Sequence, residues 1–376
     1  MRIWIDEAGS DRILFFTIIA LTLFGLVVVY SSSYVIATEI AGAGSPSFFL
    51  RRHIIRIIPG FFLMLVFMRM NEQTLRNLAR PLIVLSLVLL LLTVIPTSLR
   101  VNIRGAYRWL KIGNFVFQPS EIAKVALILY LADFAARKRD QVRDFKLGFL
   151  PAFIIISIGA AITGFQPNVG TATMFIMIGM VMLFASGARI GHVVGITLLS
   201  IAIMLGLMAL TGYNINRLKP TETYHVEQAR IAVGSGGLLG VGIANGNQKY
   251  LFLPDAHTDF VFAVVGEEMG FVGMLAIMTL FGIFVWRGLR VAARASSVFS
   301  SVLAVGITMA VAGYFCVSAG VCLGLLPTAG LPMPFMSYGG TSSMMLLAAC
   351  GMLLGASKRR AEFGTVRQAR WEALLR

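Results

Sequence analysis

Three charged residues lie inside or beside apolar stretches, where an ionisable side chain is costly and is therefore a candidate for function. Glu121 and Lys124 follow Gln118-Pro-Ser, and residues three apart share one helix face. They can form a structural ion pair or line a polar pocket. Asp259 precedes another apolar stretch, and a carboxylate at a water boundary can act as a general base.

Three other acids compete with Asp259 for that role. Asp255 follows Pro254 and can cap a turn or the coming helix. Glu267 and Glu268 lie deeper in the apolar stretch and, at 100° per residue, point about 80° and 180° away from the Asp259 face. We therefore expect Asp259 to be the catalytic carboxylate.

A stripe of small residues shares the Asp259 face if the helix begins at Thr258. The stripe consists of Ala263, Gly266 and Gly270. It either packs against another helix or forms a groove for a lipid tail beneath a reactive head group. His257, two residues before Asp259, can hydrogen-bond, titrate near neutrality, or be a satisfied loop histidine.

A basic segment precedes Glu121. It carries Arg100, Arg104, Arg108 and Lys111 with no acid among them. On the outer side of a membrane such an excess of cations is disfavoured. The segment therefore predicts either a site for an anionic group or a contact with lipid phosphates.

The elements that must position these residues are membrane helices. Of the 376 residues, 57% are hydrophobic and 13% are charged, whereas a water-soluble domain has about 25% charged residues. The composition excludes a soluble enzyme and predicts an all-α, polytopic integral membrane protein. Ten transmembrane helices are expected at 13–34, 47–69, 79–97, 119–136, 147–165, 168–187, 190–212, 258–286, 298–325 and 336–356.

The distribution of the 32 Lys and Arg residues sets the expected orientation. Most of them fall in the loops that face the cytoplasm if both termini are cytoplasmic. The net charge of +15 is therefore explained by topology and not by a nucleic-acid partner. The chain is expected to form a single membrane domain over 1–376, with a large extracytoplasmic loop at about 213–257 and a short basic cytoplasmic tail at 357–376. The spacing of the three cysteines matches neither a disulfide framework nor a metal site.

A glycine-rich run, Gly234-Ser-Gly-Gly-Leu-Leu-Gly-Val-Gly-Ile-Ala-Asn-Gly246, lies within the large loop. No βαβ unit surrounds it, so a dinucleotide site is excluded. The run predicts either a flexible segment or a close-packed re-entrant segment. No internal repeat supports a two-half transporter.

Six separated segments together resemble the SEDS family (shape, elongation, division and sporulation) of bacterial peptidoglycan polymerases. They are Arg104-Gly-Ala-Tyr-Arg-Trp-Leu110, Gln118-Pro-Ser-Glu-Ile-Ala-Lys124, Gln166-Pro-Asn-Val-Gly-Thr-Ala172, the glycine-rich run, Leu253-Pro-Asp-Ala-His-Thr-Asp-Phe260 with Gly266-Glu-Glu268, and Gly330-Leu-Pro-Met-Pro-Phe-Met-Ser-Tyr-Gly-Gly340. The resemblance covers nearly the whole chain. It departs from the family pattern at Asn168, where an Asp is usual, and at Ser318, where an Asn is common.

The resemblance implies the SEDS fold of ten helices and the polymerisation of lipid II at the outer face of the cytoplasmic membrane. It is closer to the division-type than to the elongation-type members. It also implies an essential carboxylate at Asp259 and a class B penicillin-binding protein transpeptidase as partner, within a division or elongation complex. A lipid II flippase and a catalytically silent scaffold are the alternatives.

The implied reaction inverts the anomeric centre, so one general base, Asp259, is enough. The expected substrate-binding residues are Arg108, Trp109, Lys111, Gln118, Glu121, Lys124, Lys249 and His257. Among them the cations stabilise the leaving pyrophosphate of a polyprenyl-linked glycan, and Glu121 holds Lys124. Trp109 packs on a sugar or anchors at the lipid interface. A divalent cation, Mg²⁺ or Mn²⁺, is expected to be held with the substrate pyrophosphate, with no protein metal site and no organic cofactor.

Overall fold

The structure is a computed structural model that describes residues 11–39, 45–103, 105–113, 115–210, 224–248, 250 and 252–374. About 75% of the chain is helical. Helices α1 to α7 span Arg12–Glu39, Phe48–Arg69, Glu72–Val94, Pro119–Lys138, Leu150–Phe165, Val169–Ala185 and Ile190–Leu210. Helices α8 to α11 span Tyr224–Ser235, Val261–Ala293, Val298–Cys322 and Thr341–Leu374. A 3-10 turn, Arg139–Arg143, and a π turn, Phe145–Phe149, join α4 to α5.

The protein is a multi-pass membrane protein. Within the described part of the chain, five segments are long and apolar enough to cross a bilayer, namely Arg12–Thr38, Glu72–Val94, Phe145–Phe165, Val261–Ala293 and Val298–Cys322. Each of the ten predicted spans overlaps one of the helices α1 to α7 and α9 to α11. The number of crossings and the cytoplasmic location of both termini stay predictions.

The all-α prediction omitted a small sheet. Strands β1 (Arg100–Ile103), β2 (Ala106–Ile112) and β3 (Phe115–Phe117) form an antiparallel sheet between α3 and α4. Alternating large side chains such as Val101, Tyr107 and Trp109 suit a pleated strand, and tight turns at Gly105 and Gly113 join the strands. We call the end of the helix bundle that bears this sheet the sheet end.

Buried polar contacts tie the helices together at the opposite end. The Asp11 carboxylate accepts from the Arg287 guanidinium of α9 at 2.5 to 3.1 Å, and Ser357 of α11 accepts from the Asp11 backbone N–H. Asp133 of α4, which is buried, accepts from Arg76 of α3 at 3.2 Å and from Arg137 at 2.8 Å. These contacts fix the helix termini because a buried charge needs such partners.

Helix α9 is broken at Gly270, whose φ of 62° and ψ of −161° are accessible almost only to glycine. The glycine-rich run is inserted at this break. In an unbroken helix, Phe271 N–H would donate to Glu267 O. Here Glu267 O accepts from Val241 N–H and Phe271 N–H donates to Gly237 O, so two residues of the glycine-rich run take the place of that helical hydrogen bond. The run is therefore close-packed against α9, as one of the two sequence alternatives predicted.

The same packing covers the stripe of small residues. The Gly266 backbone lies against Val233 of α8, and Gly270 lies against Leu238 of the glycine-rich run. The interpretation of the stripe as a groove for a lipid tail is therefore wrong, because protein backbone occupies that face. The assumption that helical phase holds from Thr258 is also wrong, since α9 begins at Val261.

Candidate active site

Asp259 lies half-buried in a turn that precedes α9 at the sheet end. Its backbone N–H and that of Thr258 both donate to Asp255 O at 3.0 Å. Asp255 has a positive φ of 56°. Gly330, in the segment between α10 and α11, faces the carboxylate, because a methyl group placed there would lie 3.8 Å from Asp259 Oδ2. A half-buried carboxylate on a rigid turn is suited to accepting a proton.

Glu267 and Glu268 are buried and have structural contacts. The Glu267 carboxylate accepts from the backbone N–H groups of Asn247 at 2.6 Å and Gln248 at 3.1 Å. Glu268 accepts from Ser31 of α1 at 2.5 and 2.6 Å. These contacts anchor residues 247–248, which follow the glycine-rich run, and α1 to α9. The choice of Asp259 as the reactive acid stays a prediction.

Glu121 and Lys124 lie in a cavity of about 80 Å³ near the start of α4. Lys124 Nζ is 2.8 Å from Glu121 Oε1, and both side chains are largely buried. The cavity wall is otherwise mostly apolar, and Pro332 and Ser337 of the segment between α10 and α11 contribute to it. The ion pair predicted from the sequence is therefore present. It lines a cavity whose wall is otherwise mostly apolar, so the alternative of a polar pocket stays a prediction.

Sequence reasoning missed Tyr314 of α10. Its hydroxyl accepts from Lys124 Nζ at 2.5 Å, and its ring lies 4.2 Å from the same atom. No sequence signal placed Tyr314 opposite Lys124, because the two residues are 190 positions apart and a lone tyrosine in an apolar span has many possible neighbours.

Arg108, Trp109 and Lys111 all lie on β2. Arg108 donates to the carbonyl oxygens of Gln166 at 3.2 Å and Pro167 at 2.6 Å, so it holds the turn between α5 and α6. Trp109 is half-buried and Lys111 is exposed.

A chain of contacts links this turn to Asp259. The Gly170 backbone of α6 lies against Ala329 O, and the next residue, Gly330, faces the Asp259 carboxylate. Of the predicted residues on the sheet, Arg108 is therefore linked to Asp259 through the α5–α6 turn. Within the described residues, the lining of the Glu121–Lys124 cavity includes neither Asp259 nor Arg108.

The remaining predicted residues have separate positions. Gln118 is the N-cap residue of α4, and its backbone N–H donates to Thr341 of α11 at 3.2 Å. The imidazole of His257 is buried beside the rings of Phe49 and Tyr338. Lys249 and Arg104 lie outside the described residues.

Asn168 and Ser318, where the sequence departs from the family pattern, are both buried. Asn168 is the N-cap residue of α6 and accepts from the backbone N–H of Thr171 at 3.4 Å. Among the residues that the structure describes, no group of three or more His, Cys, Asp or Glu side chains is placed to hold a metal ion.

The sequence matches the family model of the FtsW, RodA and SpoVE cell cycle proteins over residues 11–362. The chain belongs to this family. It is 38% identical to the probable peptidoglycan glycosyltransferase FtsW of Trichlorobacter lovleyi, with 93% of each protein covered. It is 36% identical to the stage V sporulation protein E of Bacillus subtilis, with 94% of this chain and 98% of that protein covered.

Solved structures agree with the family membership. The rod shape determining protein RodA of Thermus thermophilus has a TM-score of 0.69 and 28% identity, with 93% of this chain and 97% of RodA covered. A chain from a structure described as a peptidoglycan synthase complex that coordinates polymerization and crosslinking has a TM-score of 0.72 and 25% identity. That comparison covers 93% of this chain and 98% of the other. This FtsW, RodA and SpoVE family member therefore shares the fold of these proteins over nearly its whole length.

Proposed function

We propose that this protein is a peptidoglycan glycosyltransferase that polymerises lipid II into glycan strands for septal wall synthesis in cell division. The observation that carries the proposal is the half-buried Asp259 carboxylate, held on a turn at the sheet end of a chain that is similar over 93% of its length to proteins named FtsW. Relatives named FtsW reach 39% identity, whereas the elongation-type RodA structure has 28%. This difference supports the division role.

The reaction is a single displacement. Asp259 takes the proton of the acceptor sugar hydroxyl as that oxygen forms a bond to the anomeric carbon of the donor, and the bond from that carbon to the pyrophosphate oxygen breaks. The product is a glycan longer by one disaccharide, and polyprenyl pyrophosphate leaves. General-base assistance of this kind contributes about 10²- to 10⁴-fold in rate.

The cations of the sheet end stabilise the leaving pyrophosphate. Lys111 is exposed on β2 and Lys124 lies on the floor of the cavity. Arg108 adds positive charge while it holds the α5–α6 turn. A divalent cation, Mg²⁺ or Mn²⁺, would be held by the substrate phosphates and would neutralise developing charge there.

The proposed topology places the sheet end outside the cytoplasmic membrane. Ten crossings with both termini in the cytoplasm put the basic loops inside, as the charge bias of membrane proteins favours. Asp259 and β1 to β3 then face the compartment in which glycan strands are made. The buried charge contacts of Asp11 and Asp133 lie at the cytoplasmic end.

The proposed partner is a class B penicillin-binding protein transpeptidase, within a division complex. One similar structure is described as a synthase complex that coordinates polymerization with crosslinking. A polymerase of this fold would in that arrangement supply the strands that the partner crosslinks. No nucleic acid takes part.

The test is glycan synthesis from lipid II by the full-length protein purified in detergent with its transpeptidase. We expect the native protein to make long glycan strands and Asp259→Asn to make none, because the amide keeps the size of the side chain but not its basicity. The matched control is Asp255→Asn, in the same turn, since asparagine tolerates the positive φ of that position. Its product should match the native product.

The outcomes separate the alternatives. Long glycan strands made by Asp259→Asn would show that Asp259 is not the general base. No polymer from the native protein, together with movement of lipid II between the leaflets of proteoliposomes, would support a flippase. Localisation of a fluorescent fusion to the sidewall and not the septum would support an elongation-type role.

A further inference from the structure

The turn that carries Asp259 depends on another part of the chain for its hydrogen bonds. The turn precedes α9, and the two carbonyl groups immediately before Asp259 belong to His257 and Thr258. Both accept hydrogen bonds from consecutive residues of the segment between α10 and α11: Tyr338 N–H donates to His257 O at 2.9 Å, and the Ser337 hydroxyl donates to Thr258 O. The peptide groups leading into Asp259 are thus held from outside the turn.

The Ser337 hydroxyl both donates and accepts a hydrogen bond. It accepts from the backbone N–H of Met333 at 2.7 Å while it donates to Thr258 O. The side chain is buried, and it also lines the cavity that contains Lys124. One hydroxyl therefore joins the Asp259 turn to the cavity wall, and its removal would leave a buried donor and a buried acceptor unpaired.

Tyr338 is itself fixed by α2. Its hydroxyl accepts from Arg56 Nη1 at 3.0 Å, and its ring packs at 5.3 Å from the ring of Phe49 and 5.7 Å from that of His53. The centre of the His257 ring lies 6.0 Å from the centre of the Tyr338 ring. The position of the peptide at 257 is consequently set by α2 as well as by the segment between α10 and α11.

We infer that Ser337 and Tyr338 are positioning residues for the Asp259 carboxylate, with Arg56 orienting Tyr338. The inference rests on the proposed polymerase function and adds residues that contact the turn but need not contact the substrate. Loss of the Ser337 hydroxyl lets the turn shift relative to the acceptor sugar, and a displacement of about 1 Å can cost about 100-fold in rate. The hydrogen-bond partners of Lys124 are Glu121 and Tyr314 rather than Ser337, so we expect substrate binding by the cations to be kept.

The experiment measures kcat and KM for lipid II with the full-length protein and its transpeptidase in detergent, normalised to the monodisperse fraction. Ser337→Ala should lower kcat about tenfold or more while KM stays within about twofold, because orientation is lost and binding is kept. Ser337→Thr keeps the hydroxyl and should recover most of kcat. Tyr338→Phe keeps the ring and the backbone donor, removes the acceptor for Arg56, and should lower kcat less than Ser337→Ala.

The control is Ser86→Ala in α3, a fully buried serine whose hydroxyl bonds to Ile83 O of its own helix. Its kcat and KM should be native. A native kcat in Ser337→Ala, or equal losses in Ser337→Ala and Ser337→Thr, overturns the positioning role. If Ser337→Ala does not fold, a native kcat in Tyr338→Phe overturns it. Failure of the native protein to polymerise, or full activity in Asp259→Asn, would instead contradict the proposed function.

Discussion

Lys124 Nζ lies 2.5 Å from Tyr314 Oη, although the two residues come from α4 and α10. Glu121 completes the cluster on the other side of the ammonium group at 2.8 Å. A charge in such a position is stable only while its partners remain, because the surrounding cavity is mostly apolar. The cluster therefore stabilises the folded protein and, in the proposed reaction, supplies positive charge for the leaving pyrophosphate.

Glu121→Gln should destabilise the protein by about 3–5 kcal/mol, because it leaves the Lys124 ammonium without its charge partner in an apolar cavity. Adding Lys124→Met to that variant should recover most of the loss. Thermal unfolding in detergent gives both values. Polymerisation should be absent from the double variant even where its stability recovers, since the cation is gone; full activity there would exclude Lys124 from the site.

Gly270→Ala should lower the melting temperature, because the backbone conformation at this position is almost restricted to glycine and costs other residues about 1–3 kcal/mol. A methyl group would also contact Leu238 O and Gly240 N of the glycine-rich run. Protease cleavage within 236–248 should become faster as the run separates from α9.

The matched control for that variant is Gly282→Ala on the same helix. Among the described residues, a methyl group placed there would meet no atom within 4 Å apart from its chain neighbours and its own helix backbone, and alanine is the better helix former by about 1 kcal/mol. The melting temperature should be unchanged or higher. Equal effects of the two substitutions would show that the break at Gly270 does not hold the glycine-rich run.

Gly170→Ala should reduce polymerisation as well as stability. The added methyl group would overlap Ala329 O, and Gly330, the next residue, faces Asp259. Displacing that segment moves the wall opposite the carboxylate, so kcat should fall. The control is Gly164→Ala, near the end of α5, where an added methyl group would meet no atom of the described residues within 4 Å beyond the local helix backbone. It should leave kcat and the melting temperature unchanged. A native kcat in Gly170→Ala would mean that Gly330 can move without affecting the reaction.

The sequence was sufficient for features with a local cause. Runs of about 20 apolar residues predicted segments that each overlap a helix, and the three-residue spacing of Glu121 and Lys124 predicted their contact. The sheet is harder to predict because its strands are short and its basic residues also suit a charged loop. Their alternation with Val101, Tyr107 and Trp109 was a usable signal.

Features that depend on distant contacts could not be predicted from the sequence. The local pattern predicts helical phase from Thr258, but the helix begins only at Val261. The peptide groups at 257 and 258 instead bond to Ser337 and Tyr338, about 80 residues further on, and these contacts hold a turn. Arg108 was expected to face a phosphate, yet its guanidinium donates to two carbonyl groups of the α5–α6 turn. Neither partner is close in sequence.

The contact between Asp11 and Arg287 leads to a last prediction, about the end of the bundle opposite the site. Asp11→Asn should lower stability by about 1.5–3 kcal/mol, because hydrogen bonds between buried charged groups are lost or weakened. Since both side chains are largely buried, added salt should not remove the difference from the native protein. The control is Asp140→Asn, an exposed acid in the turn after α4, which should leave the melting temperature unchanged. Polymerisation by Asp11→Asn at low temperature should be native, since the substitution is remote from Asp259. A loss of activity without a loss of stability would show that the opposite end controls the site.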